Sequence, residues 1–320
     1  MLNSKTYLKI LFFILGAIAT TTVAYSYYFS KNYPLPITDR ISLDAKIQFI
    51  REKIDVEQVD TLVVGSSIAL NNVQGVVLEK SSSQCRKVLN LSVWSIGAIQ
   101  VEQLLLLSTA FPNLERIIYS AQFSDFGNKL KFKNFDSEFI KKYISHTLNP
   151  IEYTNLILNG CKDVSFCIER QKRWKEEYGM NNKFSFLNFD HTGSAALQIY
   201  GKDIIKKRWN NPHGPQVEGE AFNALDRMSK EAKGRGIKFY FIQQPYRQPL
   251  IDKYPFVKKI METFPKRVLD ILSENGGHFF NLHQKLHMSD KYFSDRSHLN
   301  DKGSMVGSKA IGKFIDMSEK

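Results

Sequence analysis

The chain has 320 residues, 43% hydrophobic and 24% charged, and 44 Lys+Arg against 32 Asp+Glu leave a formal net charge of +12. This excludes a disordered tail protein, and three cysteines are too few for a disulfide-built scaffold. With 18 Gly and 10 Pro it is no collagen-like or low-complexity polymer, so a globular body with an ample core is expected.

The first thirty residues obey a different physics. From Ile10 to Ser30 no residue is charged, and these 21 residues at about 1.5 Å each give roughly 31 Å of helix, enough to cross a bilayer. Lys5 and Lys9 precede the run, Lys31 follows it, and Tyr25, Tyr27 and Tyr28 cluster at its far end like an interfacial belt. The positive-inside rule then places the N-terminus in the cytoplasm and residues 31–320 in the periplasm or outside the cell. A cleaved signal peptide is the competing reading, with Ala24 and Thr22 as the small residues, but the run exceeds the usual signal core of about 7 to 15 residues. Residues 1–30 are therefore expected as a membrane anchor. Residues 31–59, with Pro34, Pro36 and a charged helical stretch from Leu43, read as a linker, and 60–320 as the exported domain.

Export changes how the charge is read. Without Lys5 and Lys9 a charge of +10 remains, densest at Lys206-Lys207-Arg208 beside Trp209. Outside the cytoplasm such a surface suits anionic glycans or lipid head groups, not nucleic acid. An oxidising compartment also allows a small disulfide between Cys161 and Cys167, leaving Cys85 unpaired.

The domain opens at Asp60. Thr61-Leu62-Val63-Val64 is a short apolar run ending in Gly65, the pattern of a buried strand entering a turn. Similar runs recur at 88–91, 116–120, 238–242 and 278–282, with helix-like stretches at 101–110 and 221–233 between them. Alternating buried strands and helices predict a parallel sheet covered on both faces. About 117 residues separate Ser120 from Lys238, so a large insertion at about 125–215 leaves the sheet there. It is aromatic and basic, with Phe132, Phe135, Phe139, Tyr143, Trp174 and Tyr178 among many lysines. It is suited to packing over the sheet or to walling a groove at the strands' carboxyl ends.

Two motifs carry chemistry. Gly65-Ser66-Ser67 follows the first strand, where glycine permits a sharp turn and a serine is presented to the crevice. Near the other end stands Asp295-Arg296-Ser297-His298-Leu299-Asn300, in which an Asp three residues before a His can hold the imidazole Nδ1–H and leave Nε2 as a base. Either alone is common in ordinary loops. Arg247, in Pro245-Tyr246-Arg247 past the fourth strand, is a candidate for reaching an anionic substrate. His283 and His287, four apart, lack a third ligand at a useful spacing, and no metal or other cofactor is expected.

Taken together, the two motifs resemble the SGNH (GDSL-like) hydrolase superfamily, and the likeness runs through nearly the whole exported domain. Gly65-Ser66-Ser67 is similar to the first block with Ser66 in place of the usual Asp, and Asn90 to Gly97 resembles the second. The third departs from Gly-x-Asn-Asp, reading Ala121-Gln122-Phe123-Ser124-Asp125, while Asp295 and His298 match the last. The resemblance implies a flavodoxin-like three-layer α/β/α fold with a five-stranded parallel sheet. It also implies Ser67 as nucleophile, His298 as base, Asp295 as its orienter, and Gly97 N–H and the Gln122 amide as oxyanion donors. Membrane-anchored members of this superfamily modify envelope polysaccharides, some receiving acyl groups from a membrane-bound O-acyltransferase. The expected function is thus acyl transfer, most simply of acetyl, to an envelope glycan. Glycan O-acetyl esterase activity and an inactive glycan-binding protein of the same fold are the alternatives.

Overall fold

The computed structural model describes residues 3–127, 129–159, 164–178 and 187–320. The chain starts with α1 (Ser4–Asn32), capped by the Asn3 side chain, which accepts the Lys5 N–H. Over Ser4–Ser30 this helix is long and apolar enough to cross a membrane. Three successive threonines do not spoil it, because the hydroxyls of Thr20, Thr21 and Thr22 donate back to the carbonyls of Gly16, Ala17 and Ile18 at 2.8–2.9 Å. Its last turns enter the body of the protein. Phe29 and Tyr33 are buried in the main core, and the Tyr25 hydroxyl accepts the Gln171 amide at 2.8 Å.

α2 (Ile41–Lys53) falls within the stretch read from the sequence as a linker, yet it is part of the core. Leu43, Ile47 and Ile50 recur at helical spacing and are fully buried. Its polar face is buried too: Asp44 accepts Arg170 at 2.8 Å and the Thr38 N–H at 2.7 Å, and Lys46 donates to the Asn90 carbonyl at 2.8 Å. The helix expected from Leu43 is present, but Leu43, Ile47 and Ile50 bury one face of it in the main core, so the charged residues around them did not mark a linker.

Then β1 (Thr61–Val64) leads to α3 (Ser67–Asn72), and α4 (Gly75–Ser81) to β2 (Val88–Asn90). α5 (Ala98–Leu105), continued by a tighter turn to Ala110, leads to β3 (Arg116–Ala121). The long excursion holds α6 (Ser137–Ile144), α7 (Pro150–Asn159), α8 (Val164–Tyr178) and α9 (Lys206–Asn210), and α10 (Gly219–Gly234) returns to β4 (Lys238–Gln243). α11 (Gln248–Lys253) and α12 (Pro255–Asn275) precede β5 (His278–Asn281), and α13 (Leu282–Leu286) and α14 (Asp301–Ser318) end the chain.

All five strands are parallel, in the order β2-β1-β3-β4-β5, with Leu62 beside Leu89 and Ile117, and Ile118 beside Tyr240. Strand alternation divides the core. Leu62, Ile117 and Phe239 join one cluster with Leu104, Leu225 and Val268 of α5, α10 and α12, whereas Val63, Ile118 and Tyr240 join another with Leu78, Ile311 and Ile315 of α4 and α14. Between β3 and β4 the described residues form no further strand, only an isolated bridge from Leu197 to Asn300. Cys167 is disulfide-bonded and Cys85 is a buried free thiol, while Cys161 lies outside the described residues.

Candidate active site

At the carboxyl end of β1 the chain must turn hard against β3. Gly65 has φ +151°, and a Cβ there would sit 2.4 Å from the Ser120 carbonyl oxygen, so no larger residue fits. Ser66 then caps α3, its Oγ accepting the Ile68 N–H at 3.1 Å. The two adjacent serines thus have separate tasks: Ser66 closes the helix start and Ser67, the first helical residue, presents its Oγ to His298 Nε2 at 2.9 Å.

His298 sits in a tight turn closed by Ser294 N–H donating to the His298 carbonyl at 2.8 Å. Within it Asp295 Oδ1 accepts the N–H groups of Ser297 and His298 at 2.9 and 2.8 Å, and Oδ2 lies 2.9 Å from His298 Nδ1. Burial alone would push the Asp295 carboxyl up. The charge of His298, its ring N–H and the two backbone N–H groups outweigh that and hold it well below the usual carboxylate range. An ionised carboxylate at Nδ1 fixes the tautomer in which Nε2 accepts the Ser67 proton.

Ser67 and His298 are 231 residues apart in sequence, so their register needs explicit bonds. Asn72, at the end of α3, donates to the Ser297 carbonyl at 3.0 Å and accepts the Leu299 N–H at 2.8 Å. Gln74 bonds the Asp301 carbonyl and Ser304 Oγ of α14 at 2.7 and 2.6 Å. The returning end of the excursion joins both halves: Asn71 donates to the Ala195 carbonyl at 2.6 Å, and Asp301 N–H donates to the Leu197 carbonyl at 2.8 Å.

A small cleft opens beside Asp295 and His298, lined also by Trp94, Leu197, Ile199 and Arg208, with a cavity of about 20 Å³. That is room for about one water-sized or methyl-sized group. The insertion read from the sequence therefore contributes wall residues as well as packing. Asp125 is buried beside Ser66, and its Oδ2 accepts the Gln122 N–H at 2.8 Å. Burial pushes its carboxyl up to about 6, against hydrogen bonds from Ser66 and Gln122 and the charge of His298.

The remaining residues expected at the site are engaged elsewhere. Gly97 caps α5, and its N–H donates to Gln100 Oε1 at 3.2 Å. Gln122 is buried with its amide nitrogen on the carbonyls of Gln244 and Pro245, so it does not present a free donor. The Ser67 N–H, in the first turn of α3, makes no hydrogen bond among the described residues. Arg247 is also committed: it is buried, binds both carboxylate oxygens of Asp290, and its guanidinium lies 3.5 Å from the centroid of the Trp209 ring. It holds the wall of the site and has no free edge for a ligand. His287 adopts a left-handed conformation at the end of α13, so His283 and His287 do not share a helical face. Among the described residues no cluster of three His, Cys, Asp or Glu is placed to hold a metal.

Sequence reasoning missed the roles of Asn72 and Asp125, and it singled out Arg208 within a basic cluster without placing it beside His298. Asn72 had a signal, an amide within the apolar stretch Ile68 to Val73 at a spacing that places it inside. No protein-family model matches the chain, and a search of curated proteins finds none similar to it, so the geometry of Ser67, His298 and Asp295 carries the functional reading.

Proposed function

We propose that the protein is a membrane-anchored, extracytoplasmic enzyme of SGNH type, with a flavodoxin-like three-layer α/β/α fold, that transfers acetyl groups to a cell-envelope polysaccharide through an acyl-serine. The observation that carries the reading is the continuous relay from Ser67 Oγ through His298 to Asp295, each link 2.9 Å, at the carboxyl edge of a parallel sheet. The strand order and the two core clusters support the fold, and the lysines before the apolar run of α1 support a cytoplasmic N-terminus.

In this reading His298 removes the Ser67 proton as Oγ attacks the ester carbonyl. The ester C–O bond then breaks, the departing alkoxide takes the proton from imidazolium, and acyl-Ser67 remains. A glycan hydroxyl repeats the sequence in reverse, giving its proton to His298 and taking the acyl group. The Ser67 N–H faces the developing oxyanion, and the Gly97 N–H joins it by exchanging the neutral Gln100 acceptor for a charged one. A membrane-bound O-acyltransferase fits as the acyl supplier, because the activated donor must cross the same membrane.

Hydrolysis is the second reading, favoured by one feature: the His298 side chain is 16% exposed, so water reaches the base. Incubating the protein with a chromogenic acetyl ester and envelope glycan oligomers tests both. Ser67→Ala is expected to abolish turnover without changing thermal unfolding, while Ser66→Ala keeps the nucleophile and loses about 1 kcal/mol of helix cap. Acetylated oligomer forming faster than free acetate supports transfer, and free acetate alone moves the assignment to esterase. Activity that survives Ser67→Ala sinks both.

A further inference from the structure

Arg208 stands apart from the other cation that the sequence brought to the fourth strand's end. Two arginines fasten the segment that follows it. Arg247 stacks on the Trp209 ring and donates to the Trp209 carbonyl, while Arg296, next to Asp295 in sequence, donates to the Asn211 carbonyl and to His213 Nε2, both at 2.9 Å. The His213 N–H donates in turn to the Tyr246 hydroxyl at 3.0 Å. Burial and the Arg296 charge keep the His213 imidazole neutral, down to about 3, so it serves as an acceptor in this clamp.

The backbone carrying Arg208 is therefore held against the turn that bears the triad histidine. Its side chain lines the same cleft as His298 and Asp295, is exposed, and makes no hydrogen bond, ion pair or ring contact among the described residues. Asp295 is not its counterion, because both carboxylate oxygens are already taken by His298 and two backbone N–H groups. A fixed positive charge in this place opposes the positive charge that His298 gains when it accepts the Ser67 proton. A substrate that brings its own negative charge cancels this cost. Lys206 and Lys207, both exposed and next to Arg208 in sequence, add to the positive charge of this segment. Trp94 lines the same cleft and brings an aromatic surface suited to a sugar ring.

We infer that Arg208 recognises a carboxylate or phosphate on the sugar whose hydroxyl is acylated or deacylated at Ser67, so that the glycan acted on is acidic. This rests on the serine chemistry proposed above and names its substrate class. Guanidinium presents parallel N–H donors that match either oxyanion, which a lysine does not.

The test uses the full-length protein in detergent and three methyl glycosides carrying one acetyl ester: a neutral glucoside, the corresponding glucuronide, and the glucoside 6-phosphate. Wild-type kcat/KM is expected to favour an acidic ester over the neutral one by about tenfold, the size of a charge-assisted hydrogen-bonded pair, and the preferred acid distinguishes carboxylate from phosphate. In Arg208→Gln the acidic-to-neutral ratio falls to about one through KM, Arg208→Lys keeps part of it, and added salt erodes it in the wild type. No preference in the wild type, or an unchanged ratio in Arg208→Gln, overturns the inference. If none of the esters is turned over, the serine chemistry fails, and calorimetric binding of an oligoglucuronide and of the glucoside 6-phosphate to the Ser67→Ala protein then decides separately. Binding of either that is lost in Ser67→Ala/Arg208→Gln supports recognition of acid, and no binding of both refutes it.

Discussion

Asn72 brackets His298: its amide oxygen holds the Leu299 N–H at 2.8 Å and its amide nitrogen holds the Ser297 carbonyl at 3.0 Å, one residue on each side of the imidazole. Because Asn72 closes the helix that Ser67 opens, one side chain sets the distance between nucleophile and base. Asn72→Ala removes both bonds and leaves a buried N–H and a buried carbonyl unpaired, an expected loss of about 2–3 kcal/mol of stability. Displacement of the base by a fraction of an ångström is expected to lower kcat by about 10²-fold with little change in KM. Asn72→Asp keeps the acceptor for Leu299 and loses the donor to Ser297, so it should fall between. A proportional rise in KM with kcat intact would rule out a positioning role.

Asp125 gives the protein a pH dependence of definite sign. Its carboxyl is pushed from an ordinary value near 3.8 up to about 6 by burial, with Tyr119, Ser66 and His298 as the polar groups around it. Below about pH 4 it is protonated in both the folded and unfolded states and carries no penalty. Above about pH 6 it is ionised in both, and the folded state bears the cost of the buried charge, about 3 kcal/mol for a displacement of about two pH units. Asp125→Asn keeps the acceptor for the Gln122 N–H, so it is expected to unfold at higher denaturant than wild type at pH 7.5. The advantage shrinks through pH 6 and vanishes near pH 4. An equal difference at both pH values would assign the effect to packing.

The chain end carries the opposite sign. The Glu319 side chain is only 3% exposed, and its carboxylate accepts Arg116 at 2.6 and 2.8 Å, Lys238 at 2.6 Å and Tyr240 at 2.7 Å. Burial pushes its carboxyl up, but these donors outweigh it and pull the carboxyl down to about 2. Its contribution is fully present above about pH 4.5 and is lost as pH falls through about 2. Glu319→Gln is expected to cost about 3 kcal/mol at pH 7, because Arg116 stays buried with its partner neutral. Deleting Lys320 alone should leave the unfolding midpoint unchanged. Equal loss from both changes would locate the effect in the helix end.

The sheet was legible because each strand is a compact apolar run bounded by polar or glycine residues, and the observed β1 to β5 fall on the five runs read from the sequence. The pairing of Ser67 with His298 and Asp295 was legible for another reason. Asp295 and His298 are three apart and interact locally and Gly65 marks the turn before Ser67, but only the resemblance of the two motifs together to one superfamily joined them across 231 residues. What could not be read was where hydrogen-bond donors are spent. The Gly97 N–H is taken by Gln100 three residues on, and the Gln122 amide by carbonyls more than a hundred residues away, a pairing set by strand order and not by spacing. Arg247 and Arg208 show the same limit. Arg208 stands in a basic cluster beside Trp209 and Arg247 in a loop with no tryptophan nearby in sequence, and only tertiary contacts make Arg247 the clamp on Trp209 and leave Arg208 in the cleft.

The burial of Phe29 and Tyr33 in the main core removes the slack between the apolar helix and the body. A flexible stretch over 31–59 would have let the domain roam an r.m.s. distance of about 30 Å from its root. With α1 in a bilayer, the docked helix instead holds the Ser67 cleft at one altitude, like a reading head on a rigid arm. On the function proposed above, the protein would search by lateral diffusion in two dimensions and meet those glycan hydroxyls that are carried past at that height.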